Sequence, residues 1–256
     1  MSGGEPAELD VTASAGRNRE TDRGPHLQVP AERGAQKKGG FRWRRPRHSL
    51  KGRQVAEAVE RSGVRLQLLR QQAEAGDIIL LFQDESEALT HPYLAHAWAK
   101  QGADIRIETP GQAQKVAMIG VQDATNNQLI VETSNTKRSG DFISLLERIE
   151  REFGPIPGLK TKPVILVIDN GPIHTSKASR AALGSRSSWL TAEWLPKYAP
   201  ELNDIERAWR DLKQHFLAHL TFDTLDDLEY TIKQAVGAMN HERSEKHPWQ
   251  SHRISA

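Results

Sequence analysis

Ile78-Ile79-Leu80-Leu81-Phe82-Gln83-Asp84 and Pro163-Val164-Ile165-Leu166-Val167-Ile168-Asp169 are the two stretches from which the fold can be read. Each is a short apolar run that delivers an aspartate at its C-terminal edge. Continuous rather than alternating apolarity marks a strand buried on both faces, and branched residues favour the pleated surface. Working outward, β-like runs at Val116–Val121 and Gln128–Thr133 flank the turn-rich Asp123-Ala124-Thr125-Asn126-Asn127, which predicts a hairpin with a five-residue loop. Ile105–Glu108 is a further strand candidate, and a short strand is expected near Trp189–Leu195.

The remaining apolar residues recur at helical spacing. Phe142, Leu145, Leu146, Ile149 and Phe153 form the clearest such series, stopped by Gly154-Pro155. Val55 to Ala73 predicts one or two helices, because Gly63 interrupts the pattern and Gly76 ends it. Helices are also expected over Thr175–Leu183, over Ile205 to Phe216 and from Thr224 through Met239. A hairpin, buried strands and amphipathic helices predict an α/β fold with a mixed sheet flanked by helices, in which functional groups collect at strand C-termini.

Length and charge narrow the function. The 256 residues, 37% of them apolar, suffice for one main core with chain left over. Residues 1–40 hold few large apolar side chains and are expected to be disordered. Lysine plus arginine number 35 against 33 acids, but the charge is lopsided: Lys37, Lys38, Arg42, Arg44, Arg45, Arg47, Lys51 and Arg53 follow one another with no acid between. Phe41 and Trp43 interleave with the arginines, so Arg42, Trp43, Arg44, Arg45, Arg47 and Lys51 are candidate DNA contacts, guanidinium on phosphate and ring on base. The absence of cysteine excludes disulfides and thiolate metal sites and fits a reducing compartment. No run is long enough to span a membrane and no secretion signal opens the chain, so a cytoplasmic protein is expected.

Asp84 and Asp169 at neighbouring strand ends would repel each other unless a cation lay between them, and oxygen ligands without cysteine favour Mg²⁺ or Mn²⁺. Taken singly, each has a plainer explanation. Asp84 could cap a loop, Asp169-Asn170-Gly171-Pro172 is good turn chemistry, and Asn203 with Glu206 fits a helix capping box. Among the histidines, His215 and His219 at i, i+4 are expected on a solvated helix face, since no third ligand accompanies them. Trp194 and Trp209 are spaced as core residues, whereas Trp43 and Trp98 lie in polar surroundings.

Three longer motifs bring the acids together. Leu81-Phe82-Gln83-Asp84-Glu85-Ser86, then Val167-Ile168-Asp169-Asn170-Gly171-Pro172-Ile173-His174-Thr175-Ser176, then Leu195-Pro196-Lys197-Tyr198-Ala199-Pro200-Glu201-Leu202-Asn203-Asp204-Ile205-Glu206-Arg207-Ala208-Trp209 with Leu212-Lys213 make the chain from about Gly40 to His241 resemble the transposases of the IS630 and Tc1/mariner superfamily. The resemblance implies a ribonuclease H-like fold and a DDE catalytic domain over 77–245, preceded by a basic segment and linker helix over 41–76 and followed by a tail over 246–256. It implies that Asp84, Asp169 and Glu206 are both the catalytic residues and the metal ligands, with Asn170 and His174 as secondary candidates beside the second aspartate. Two Mg²⁺ or Mn²⁺ ions per site, double-stranded DNA (transposon ends and target) as substrate, and a homodimer follow from the same likeness. Glu201 and Asp204 become neighbours of the catalytic glutamate.

Two departures bear on function. Most of the helix-turn-helix region that family members carry before this core is not found here, and Glu87-Ala88-Leu89 replaces the expected glycine-aromatic pair. A remnant that binds DNA or inhibits full-length relatives, and a nuclease of the same fold, are therefore the rival readings to an active transposase domain.

Overall fold

The computed structural model describes residues 51–246. The segment over 1–40, the candidate DNA contacts Arg42, Trp43, Arg44, Arg45 and Arg47, and the tail beyond residue 246 lie outside the described residues. Lys51 opens a short 3-10 turn, Lys51–Arg53.

Helix α1, Ala56–Glu74, runs unbroken through Gly63 because Leu66, Leu69 and Ala73 pin one face to the core on either side of any local weakness. It stops in a Schellman arrangement: Gly76 takes φ +82°, its N–H donates to the Ala73 carbonyl, and Asp77 N–H donates to Gln72. Strand β1, Ile79–Leu89, is longer than its apolar run. Its first residues pair in parallel with β4, Val164–Ile168, while its whole outer part pairs antiparallel with β2, Lys115–Asp123. Asp84 therefore lies in mid-strand, not at the strand's edge as expected, yet just past Phe82, where pairing with β4 ends.

Strand β3, Leu129–Ser134, completes the expected hairpin with β2, its turn closed by Asn127 at φ 60°. Ile105–Glu108 is not a strand: β1 and β2 close at Leu89 and Lys115, leaving an irregular segment with no neighbouring strand to pair with. Helix α2, Ser139–Phe153, takes the expected place, with Phe142, Leu145, Leu146 and Ile149 buried. The helix expected over Thr175–Leu183 is α4, Lys177–Gly184, and a separate short turn of helix, α3 at Pro172–Thr175, precedes it. Ser176, with extended dihedrals, caps α4 through its side chain, which accepts from Ser179 N–H. Strand β5, Leu190–Trp194, pairs in parallel with β4.

Helix α5, Ile205–Asp211, passes into a π-helical turn at Leu212–Phe216. The helix is over before His219, which sits at φ 62°, so His215 and His219 share no helix face. Helix α6, Leu225–Lys246, begins at a Thr224–Asp227 cap.

The sheet order is β3-β2-β1-β4-β5, mixed in direction and flanked by helices as expected. Leu80 and Phe82 face α1, α5 and α6, whereas Ile79 and Leu81 face α2. Burying β1 on both faces puts it at the centre of the sheet, each fully buried Leu or Phe contributing roughly 1.5–3 kcal/mol. Trp209 is in the first core and Trp194 packs against the second, while Trp98 is fully exposed. Among the described residues no helix is long and apolar enough to cross a membrane.

Candidate active site

Asp84 stands on β1 facing α5, directly across from Gly120 of β2. A Cβ on Gly120 would lie 2.9 Å from Cη2 of Trp209 and 2.7 Å from the Ile130 carbonyl oxygen. The missing side chain is what lets the Trp209 indole, one turn beyond Glu206, come this close to the strand opposite Asp84.

Asp169 follows β4 immediately and forms the turn its local sequence suggests, its Oδ1 accepting from Gly171 N–H at 2.7 Å. The same oxygen lies 2.7 Å from His174 Nδ1. His174 is 1% exposed, stands edge-on to the Phe142 ring at 4.6 Å, and places Nε2 2.9 Å from Glu85 Oε1, an ion-pair distance without hydrogen-bond alignment. Burial by itself disfavours the imidazolium, but the two carboxylates outweigh it and raise His174 to about 9. The hydrogen bond from His174 correspondingly holds Asp169 below the usual carboxylate range.

Glu206 occupies the exposed side of the first turn of α5. The capping box does not form: no side chain caps α5, and Asn203 Nδ2 instead donates to the Gln83 carbonyl at 2.8 Å. That bond ties the start of α5 to the residue before Asp84. Asn170 Nδ2 likewise donates to the Leu195 carbonyl, and Leu195 N–H donates to Ile168 at 2.9 Å, locking the end of β5 to the strand that bears Asp169. Arg70 of α1 pairs with Asp204 at 2.7 Å and Gln54 donates to Glu201 at 2.9 Å, so these two acids have structural partners of their own.

Asp84, Asp169 and Glu206 line one cleft of about 430 Å³, with Asn170, Lys197 and Asn203 among its walls. A larger cleft of about 520 Å³ runs along β3 between α2 and α6 and contains none of the three. Electrostatics single out the smaller one. Burial, then the charges of Glu206 and Glu85, and more weakly Asp169, push Asp84 up to about 7. Among the described residues no three His, Asp or Glu side chains converge into a ready metal cage. The donor set nonetheless fits a hard divalent ion: Mg²⁺ keeps several waters and is commonly held by one or two carboxylates plus substrate phosphates, and the strain on Asp84 is what a cation would relieve.

On the far side of Asp84, Ser86 accepts from Lys213 Nζ at 2.7 Å, and burial lowers the pKa of that lysine. Of the expected site residues, the structure brings the three acids, Asn170 and His174 together. Gly120, Asn203, Ser86 and Lys213 were not singled out as site residues by sequence reasoning. The period-two relation of Ser86 to Asp84 was a usable signal for one of them, whereas Gly120 lies on another strand with no local mark.

A family profile described as DDE superfamily endonuclease matches residues 79–229, more than half of the chain. An insertion element IS630 uncharacterized 39 kDa protein from Shigella sonnei is 27% identical over 173 residues, which are 68% of this chain and 48% of that protein. The chain thus spans about half the length of this curated relative. Among solved structures, a Mos1 transposase paired-end complex with left transposon end is similar at TM-score 0.53 and 17% identity, over 82% of this chain and 67% of that one. The Mos1 mariner paired end complex with Mn is similar at TM-score 0.51 and 18% identity, over 83% and 68%. At such identities the likeness speaks to the fold, and the fold is the ribonuclease H-like one.

Proposed function

The chain belongs to the DDE superfamily endonucleases, and from that membership we propose that it is the catalytic part of an IS630/mariner-type transposase, cutting and joining DNA strands at a site made by Asp84, Asp169 and Glu206. The observation that carries the reading is Asp84 raised to about 7 inside an acidic cleft, with no arginine or lysine among the described residues paired to it. A carboxylate kept so uncomfortable at the centre of a sheet marks a functional site rather than a structural one.

In this reading the three carboxylates hold two Mg²⁺ or Mn²⁺ ions, which when bound stabilise the attacking and leaving oxygens of a phosphodiester displacement. The protein's own contribution is positional. His174 holds one oxygen of Asp169 and neutralises Glu85, so that negative charge next to Asp84 does not grow beyond what the ligands require. Asn203 ties the start of α5 to β1, and Asn170 ties the end of β4 to the end of β5, both through backbone carbonyls. The presence of a transposon end in one similar structure and Mn in another supports DNA and a divalent ion as partners here. The arginines at 42, 44, 45 and 47, with Lys51, supply phosphate neutralisation while Trp43 stacks on a base, and a homodimer brings two ends together.

The test is incubation of the protein with Mg²⁺ or Mn²⁺ and duplexes carrying the inverted repeats that flank its gene. Breaks at the repeat termini and joining of the released ends to a second duplex are expected. Sequence-blind cutting would make it a nuclease on the same fold, and no cutting with either metal would overturn the proposal.

A further inference from the structure

We propose that Arg70 of α1 is a positioning residue for the carboxylate centre: acting through Asp204, it fixes where Glu206 stands relative to Asp84. The inference rests on Asp84, Asp169 and Glu206 being the metal ligands and adds what holds the third of them in place.

Glu206 is the ligand least constrained by its own element. Asp84 is held in mid-strand against Gly120 of β2, and Asp169 closes its own turn and meets His174. Glu206 stands in the first turn of the seven-residue α5, whose N-cap residue makes no side-chain cap. The first N–H groups of a helix have no partner within it, so an uncapped start is the part that frays. The place of Glu206 is therefore set by what ties down the residues just before it.

Asn203 and Asp204 are both of types that ordinarily cap a helix, and both are spent on anchoring instead. Asn203 donates to the Gln83 carbonyl at 2.8 Å. Asp204, at the N-cap position itself, turns its carboxylate to α1, where Nη2 and Nε of Arg70 converge on one oxygen at 2.7 and 3.3 Å. The two side chains are 36% and 33% exposed, and ion pairs so open to water add little to stability. What singles this pair out is its location.

Arg70 follows the buried Leu69 and lies one turn beyond the buried Leu66, so the helix that carries it is firmly seated. Its guanidinium carbon stands 5.1 Å from the centroid of the Phe82 ring. Phe82 is the last β1 residue paired with β4, and it lies two residues before Asp84 on the same strand face. One guanidinium thus contacts the strand two residues ahead of the first ligand and the turn two residues ahead of the third. Arginine suits the task, because its planar head can lie on a ring and donate hydrogen bonds at the same time. With the bond from Asn203 to Gln83, the start of α5 is fastened to the Asp84 strand by two separate ties.

The test is Mn²⁺ binding to the full chain, followed by the electron paramagnetic resonance of the free ion, beside melting in EDTA and nicking of supercoiled DNA at graded Mn²⁺. Arg70→Gln, Asp204→Asn and the double variant are each expected to weaken Mn²⁺ binding by at least about tenfold. The Mn²⁺ needed for half-maximal nicking should rise in step, and the double should be no worse than either single, since both break one contact. Charge alone predicts otherwise: Arg70→Gln makes the chain more negative and would tighten binding, Asp204→Asn would loosen it, and the double would match wild type. In EDTA, Asp204→Asn should melt close to wild type because asparagine can cap α5. Arg65→Gln, on the same helix but paired with Glu193 at 3.2 Å, should bind Mn²⁺ as wild type does. Wild-type affinity in a folded single variant, opposite shifts in the two singles, or wild-type binding by the double would overturn the proposal and leave the three-carboxylate centre standing. A loss of binding that merely tracks unfolding in EDTA would make the pair structural and overturn it too. A wild-type protein that binds no Mn²⁺, or that binds it no better than Asp84→Asn, would remove both readings.

Discussion

Asp84 concentrates the argument at the scale of single residues. In sequence it is an aspartate after an apolar run, as compatible with a loop cap as with a ligand; in the fold it is a mid-strand carboxylate that burial, Glu206 and Glu85 force up to about 7. Because the folded protein binds this proton more tightly than the unfolded chain, whose aspartates titrate near 4, metal-free stability must fall as pH rises between about 4 and about 7. His174, raised to about 9, adds a loss of its own above about 6.5. Asp84→Asn removes the first decline and leaves the second. In EDTA at neutral pH this variant should melt higher than wild type, by on the order of 1–3 kcal/mol of stability, yet lose the stabilisation that Mg²⁺ or Mn²⁺ gives the wild type. A melting temperature equal to or below wild type across the acidic window would contradict the burden assigned to Asp84. The bland reading of Asp169 proved partly right, since it does close an Asx turn on Gly171, and the same oxygen also meets His174. For Glu206 the cap reading failed because Asn203 turns to Gln83 instead.

At the scale of elements, apolar periodicity located α2, β4, β5 and the hairpin close to where they stand, because their buried faces are set by their own side chains. What it could not show depends on partners distant in sequence. Strand β1 runs on to Leu89 through polar residues because β2, some thirty residues away, supplies the ladder. The break between α3 and α4 turns on the dihedrals of Ser176, and the π turn after α5 on the carbonyl choice of Leu217 N–H. Gly120 joins these elements: it sits opposite Asp84 and under Trp209. Gly120→Ala should force Trp209 away, destabilise the protein by about 1–3 kcal/mol, and reduce divalent-dependent cleavage well beyond that loss by moving Glu206 relative to Asp84. Thermal melting with a cleavage assay on the folded fraction checks this. Wild-type cleavage per folded molecule would show that α5 does not depend on the glycine for its seat.

For the whole molecule, a central strand buried on both faces places Asp84, and its parallel neighbour β4 places Asp169, while α5 crosses above them with Glu206. Two of those three placements follow from apolar runs ending near acids. The third needed a motif, because an exposed glutamate in a first helical turn looks the same at any helix start. The matching family profile covers 79–229, a span that contains all three acids. The decisive measurement is nicking of supercoiled DNA in Mn²⁺ by wild type beside Asp84→Asn, Asp169→Asn and Glu206→Gln, each confirmed folded and bound to DNA. Divalent-dependent nicking by wild type and a fall of at least about a hundredfold in every variant is the expected result; wild-type nicking by any one of the three would contradict the assignment of a shared three-carboxylate centre.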